Sequence, residues 1–119
     1  MSIEQTIQNY FDGFLTRNTE VLRKTFSDDA KLMAIDGGKV EQLAASDWFR
    51  KLDQRNEQNQ PKVAAERQIV SISQSNSAAV AHVRLRFPTH SFNDYLSLLK
   101  TDDGWKVVNK IYHYEQLVN

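Results

Sequence analysis

The spacing of the apolar residues changes once along this chain, and that change decides the fold class. In the first half they return at three- and four-residue steps; from residue 66 they return at every second residue. Steps of three and four line one face of a helix, and alternation lines one face of a strand. Helices gathered in one half and strands in the other make an α+β domain rather than an alternating α/β one. With 119 residues, the chain is expected to form one domain, 1–119. It can bury roughly 65% of its unfolded surface without disulfide or metal support.

The first helix is predicted over Ser2–Arg17. Ser2 is placed to cap it, Gln5 completes a capping box, and Ile3, Ile7, Tyr10, Phe11 and Phe14 form its apolar face. Asn18 or Thr19 caps a second, short helix with Val21, Leu22, Thr25 and Phe26 inward, and Ser27-Asp28-Asp29 reads as the turn out of it. A short strand follows at Ala30–Ile35, then a turn at Asp36-Gly37-Gly38. Ser46 is read as the cap of a third helix, Asp47 to Asn56, with Trp48, Phe49 and Leu52 on one side. A polar loop runs to Lys62. Four strands then form an antiparallel meander at Glu66–Ser73, Ala78–Phe87, Phe92–Thr101 and Trp105–Glu115. In the second of these Ala79, Ala81, Val83, Leu85 and Phe87 share one face, and Val80, His82, Arg84 and Arg86 the other. A long amphipathic helix on such a sheet leaves a conical cavity when the sheet curls.

Composition narrows function by exclusion. There are 15 basic and 15 acidic residues. A balanced charge argues against a dedicated nucleic-acid protein and against a polybasic membrane anchor. The absence of cysteine excludes disulfides, thiolate catalysis and cysteine-ligated metals. No apolar run approaches the roughly 20 residues that cross a bilayer, and no signal pattern opens the chain. The expectation is a cytoplasmic domain. The three histidines lack metal-ligand spacing, so no metal is expected, and no glycine-rich phosphate loop or nucleophile elbow calls for a nucleotide cofactor or serine chemistry.

Several segments, in this order, resemble the NTF2-like superfamily: Ile7-Gln8-Asn9-Tyr10-Phe11, Asn18-Thr19-Glu20-Val21-Leu22, Phe26-Ser27-Asp28-Asp29-Ala30, and Asp94-Tyr95-Leu96-Ser97-Leu98-Leu99 followed by Asp103-Gly104-Trp105-Lys106-Val107-Val108-Asn109-Lys110. The likeness spans essentially the whole chain and is greatest for the SnoaL-like branch called putative lumazine-binding. It implies a cone of three N-terminal helices packed on a curved, mostly antiparallel sheet, and members that often pair as homodimers through the outer sheet face. The Val80, His82, Arg84, Arg86 side is the candidate contact. The superfamily includes isomerases, cyclases, dehydratases and transport factors, so fold does not fix function.

Asp94 is the most informative position, a carboxylate on a strand face otherwise formed by Phe92, Leu96 and Leu98. Such a group is costly to bury unless partnered, and functional sites are where it occurs. A two-residue loop at Asp103-Gly104 pairs Asp102 with Trp105. Asp94 then stands opposite His113, Leu96 opposite Ile111 and Leu98 opposite Asn109. A three-residue loop, Asp102-Asp103-Gly104, instead puts Asp94 opposite Tyr112 and turns His113 to the other face. Under the first register, Asp94 and His113 are candidate proton carriers, with Tyr10 as hydroxyl donor. Asn109, Trp48, Trp105, Phe14, Leu96 and Ile111 then form a small-molecule pocket. The likeness to ketosteroid isomerase extends to Tyr10 and Asp94 as an oxyanion-binding pair. The position matching that enzyme's base is Ala34, with Asp36 two residues further on. Three functions are compatible with this pattern: a small-molecule-binding module, a cofactor-independent isomerase, cyclase or dehydratase, or a non-catalytic interaction or structural dimer.

Overall fold

The computed structural model describes residues 1–117. The elements run α1 Ile3–Leu15, α2 Thr19–Thr25, β1 Phe26–Asp36, β2 Lys39–Ala44, α3 Ala45–Glu57, β3 Glu66–Ser75, β4 Ala78–Arg86, β5 His90–Thr101 and β6 Gly104–Gln116. The six strands form one sheet in the order β2-β1-β6-β5-β4-β3. All neighbours pair antiparallel except β1 with β6, which run parallel.

The α1 start is the capping box expected. Ser2 Oγ accepts from the Gln5 N–H at 3.1 Å, and the Gln5 side chain accepts from the Ser2 N–H at 2.9 Å. The helix buries Ile3, Ile7, Tyr10 and Phe11 against the sheet. The inner face of β4 is the predicted one, with Ala79, Ala81, Val83 and Leu85 buried. They join Leu96 and Leu98 of β5 and Val107 of β6 beneath the helices.

Four expectations are corrected. Ser27-Asp28-Asp29 is strand, not turn: the residues after Phe26 pass directly into β1, whose ladder to β6 is irregular between Phe26 and Lys31. The Asp36–Lys39 turn, with Gly37 and Gly38 at φ +56° and +80°, closes a hairpin onto β2, a strand the sequence did not announce because its first four residues are all exposed. Because β2 runs straight into α3, that helix starts at Ala45 rather than Asp47. Its N-cap is Ala44, with no side-chain hydrogen bond, and Ser46 lies inside the first turn. The third helix therefore follows the first hairpin, and the three helices are not one N-terminal block.

The register of the β5–β6 hairpin matters most for the site. Its turn is Asp102-Asp103, with Thr101 opposite Gly104 and Lys100 opposite Trp105. Gly104 adopts φ +102°, and a Cβ there would meet the Met1 N at 2.6 Å, so the turn admits glycine alone without strain. Leu98 pairs with Val107, but Ser97 pairs with Asn109, so Val108 is a bulge. One extra residue in a strand turns every later side chain to the opposite face. Trp105 and Val107 point inward before the bulge, and Lys110 and Tyr112 point inward after it.

Candidate functional site

Asp94 is fully buried, as the apolar strand face around it predicts. It stands opposite Tyr112, the pairing the three-residue loop predicted, but neither expected loop is present: the Asp102-Asp103 turn followed by the Val108 bulge produces that pairing. Tyr10 reaches it from the third turn of α1 and donates its hydroxyl to Asp94 Oδ2 at 2.5 Å. Lys110 of β6, opposite Leu96, brings its Nζ to 3.9 Å from the same oxygen. The other carboxylate oxygen, Oδ1, is buried without a hydrogen-bond partner.

Aromatic rings close around the lysine. Its Nζ lies 4.6 Å from the ring centre of Trp48, 5.0 Å from Tyr10, 5.1 Å from Tyr112 and 5.3 Å from Phe14. Ring faces attract a cation, and more strongly where water is excluded. Lys110 is only 4% exposed. Burial pulls its pKa below the ordinary lysine value, and the charge of Asp94 opposes that shift. The same burial raises the Tyr10 phenol well above its ordinary value, and the charge of Asp94 and the hydrogen bond to it add to the effect. Tyr112 is raised by burial, then by Glu41 and Asp94.

The Tyr10 shift carries a sign for stability. The folded chain holds that proton to higher pH than the unfolded chain, so the associated stability is intact below about pH 10 and is lost as pH rises beyond it. Above about pH 10 the wild type is expected to lose roughly 1.4 kcal/mol per pH unit more than Tyr10→Phe. Urea unfolding at stepped alkaline pH measures the difference, and parallel curves for the two proteins would refute it.

The remaining predicted residues divide. Phe14, Trp48 and Leu96 belong to the wall around Asp94 and Lys110. Trp105 is buried too, but it packs at the first turns of α1, where its carbonyl accepts from Thr6 Oγ1 at 3.2 Å. The bulge at Val108 places Asn109, Ile111 and His113 on the outer face. His113 is exposed and opposite Asn93, Ile111 is 49% exposed, and Asn109 donates to Met33 Sδ at 3.6 Å. These three do not meet Asp94. Ala34 lies on the same side of β1 as buried Leu32, and Asp36 is exposed at the hairpin end. Lys110 was missed by sequence reasoning because alternation from Trp105 and Val107 sends it outward.

A cavity of about 430 Å³ adjoins the site, lined by Phe14, Leu52, Arg17, Arg55, Phe87 and Phe92 among others. Phe14 is common to both: it lines the cavity and packs 6.1 Å from the Tyr10 ring. The lining includes Arg17, Arg55, Lys62 and His90 and no carboxylate. Arg17 is nine-tenths buried, and its Nε has no partner. His90 opens β5 and stacks on Phe87 at 4.7 Å. Among the described residues, no three His, Asp or Glu side chains converge as metal ligands would, and no helix is long and apolar enough to cross a membrane.

Comparison with known proteins agrees with this architecture. The family model described as putative lumazine-binding matches residues 1–113. A solved NTF2-like protein of unknown function from Silicibacter pomeroyi superposes with a TM-score of 0.82 at 17% identity, covering 96% of this chain and 93% of its own. A second, from Shewanella baltica, gives 0.81 at 26% identity, covering 95% and 90%. A ketosteroid isomerase-like protein from Erwinia carotovora atroseptica gives 0.71 at 14% identity, covering 98% and 95%. A curated protein named aldolase FrzH, from Cladobotryum sp, is 22% identical over 104 residues, covering 87% of this chain and 82% of its own.

Proposed function

We propose the following for this chain, which belongs to the putative lumazine-binding family of the NTF2-like superfamily: it binds an aromatic or carbonyl-bearing small molecule in the cone, above Asp94, Tyr10 and Lys110. The observation that carries this reading is the unpartnered Oδ1 of Asp94. A fully buried carboxylate oxygen without a donor costs stability that folding alone does not repay. A ligand hydroxyl or N–H would satisfy it. The adjoining cavity has the composition of a metabolite pocket, with aromatic walls and a few polar groups. Its cationic lining suits a ligand that is neutral or anionic rather than cationic.

A second reading, that the site also performs cofactor-independent chemistry at a carbonyl, is favoured by the buried Tyr10–Asp94 pair and by the likeness to a protein named as an aldolase. In that reading Asp94 handles the proton and Tyr10 donates its hydroxyl; His113, the second proton carrier expected, lies on the other face. The outer sheet face supports pairing of two copies. A depression of about 340 Å³ there is lined by Met33, Ile35, Val40, Tyr95, Ile111 and His113, and Ile35 and Val40 are 68% and 60% exposed. This apolar patch lies toward the β1–β2 hairpin, beside the polar His82 and Arg84 side.

A thermal-shift screen against aromatic aldehydes, ketones, steroids, pteridines and flavins tests the binding reading. A ligand at about 100 times its Kd adds roughly 2.7 kcal/mol, a melting rise of several degrees for a chain of this size. The rise is expected to shrink in Asp94→Asn. A flat screen would favour the interaction-protein reading instead.

A further inference from the structure

We propose that Lys110 is a carbonyl-capturing amine, whose Nζ forms an imine with an aldehyde or ketone held in the cavity behind Phe14. The proposal rests on the small-molecule reading above and adds a covalent step to it.

Three observations converge on Nζ. The four rings of Tyr10, Phe14, Trp48 and Tyr112 surround it at 4.6–5.3 Å, so it sits where water is scarce and the ammonium has given up its hydration. Its charged neighbour, Asp94 Oδ2, is at 3.9 Å, beyond hydrogen-bond distance, and already accepts from Tyr10 at 2.5 Å. The nitrogen thus has a long ion pair with that carboxylate and no hydrogen bond to it. Burial lowers its pKa, in the direction a nucleophilic amine needs. Third, the free Oδ1 of Asp94 gives that carboxylate an unused acceptor site.

The step balances with the groups present. Asp94 takes one proton from the Lys110 ammonium. The freed nitrogen lone pair adds to the carbonyl carbon, and the C=O π pair moves onto oxygen. A second N–H proton passes to that oxygen, giving a carbinolamine. Asp94 then returns its proton to the hydroxyl, water leaves, and the nitrogen lone pair closes the C=N bond. The net change is ammonium plus carbonyl to iminium plus water, with Asp94 restored. An iminium withdraws electrons from the adjacent carbons, which is the requirement for making or breaking a bond there. Phe14 is shared by the two, lining the cavity and lying 5.3 Å from Nζ. Its rotation is the motion that admits the carbonyl.

The test is reductive trapping. The protein is incubated at pH 7 with 4-methoxybenzaldehyde and sodium cyanoborohydride, and peptides are mapped by mass. Lys110 is expected to be alkylated at least tenfold faster than exposed Lys24 or Lys100, and faster again in Phe14→Ala. The Lys110→Met variant should lose the fast phase. Labelling of Lys110 no faster than the surface lysines, in both wild type and Phe14→Ala, overturns the proposal. The corresponding alcohol, 4-methoxybenzyl alcohol, separates the two readings because it can bind but cannot form an imine. A thermal shift with the alcohol and no fast label defeats the imine alone. No shift and no fast label defeats both.

Discussion

Asp94→Ala is expected to lower the melting temperature by roughly 10–20 °C, the equivalent of about 3–5 kcal/mol at this chain length. The loss has three sources. The Lys110 ammonium keeps its burial and loses its counter-charge, the Tyr10 hydroxyl loses its acceptor, and a void opens between β5 and α1. Breaking a buried pair from one side is costly because the remaining charge is stranded. Removing the charge from the other side costs less: Lys110→Met keeps a flexible apolar chain among the rings and leaves Asp94 its bond from Tyr10. The double variant Asp94→Ala/Lys110→Met should therefore be more stable than Asp94→Ala alone, with a coupling of about 1–3 kcal/mol. Denaturant unfolding of the four proteins reads this directly. A loss under about 1 kcal/mol for Asp94→Ala, or strict additivity, would mean that the three residues are not one electrostatic unit.

Two of the three residues of this unit could be read from the sequence, for reasons tied to particular residues. Tyr10 stands at helical spacing with Ile3, Ile7 and Phe14, and α1 has a cap whose pattern is local, so its inner face follows from sequence alone. Asp94 interrupts an alternating apolar face, and a charge in such a place is visible without any structure. Lys110 is different. Its orientation depends on whether the strand from Trp105 keeps strict alternation, and it does not. The Val107-Val108-Asn109 stretch has no glycine or proline to mark a bulge. Beyond it, Asn109, Ile111 and His113 are no more apolar than Lys110, Tyr112 and Tyr114, so hydrophobic pattern does not choose the face. The β2 strand was illegible for a related reason, because an exposed edge strand need not alternate. Ser46 misled in the opposite way. It looks like a helix cap, but pairing of Ala44 with Lys31 carries the strand directly into α3 and fixes the helix start two residues earlier.

The face that Lys110 occupies can be tested by its charge. Lys110→Glu places a second carboxylate near Asp94, among four aromatic rings and with no cation at hand. Two like charges about 4 Å apart repel by roughly 4 kcal/mol even at an effective dielectric of 20, and the lost ion pair adds to that. An expected cost of about 5 kcal/mol or more equals the whole stability of many small domains, so the variant should be largely unfolded at neutral pH. Acid should restore it. Crowded carboxylates hold a proton more tightly when folded than when unfolded, so the penalty is full above the raised folded value, shrinks as pH falls through it, and is gone below the ordinary glutamate value of about 4.3. Lys106→Glu is the control. Lys106 precedes the bulge on the outer side of the same strand, and its Nζ donates to the Lys24 carbonyl at 2.6 Å in an exposed setting. Its replacement should cost within about 0.5–1 kcal/mol. Circular dichroism melts from pH 4 to 8 distinguish the alternatives. Similar small losses for both variants would put Lys110 on the solvent side and restore unbroken alternation to β6. That outcome would leave Asp94 and Tyr10 without their cation. A large loss for Lys110→Glu alone, reversed by acid, requires the lysine, the aspartate and the rings to share one dry interior.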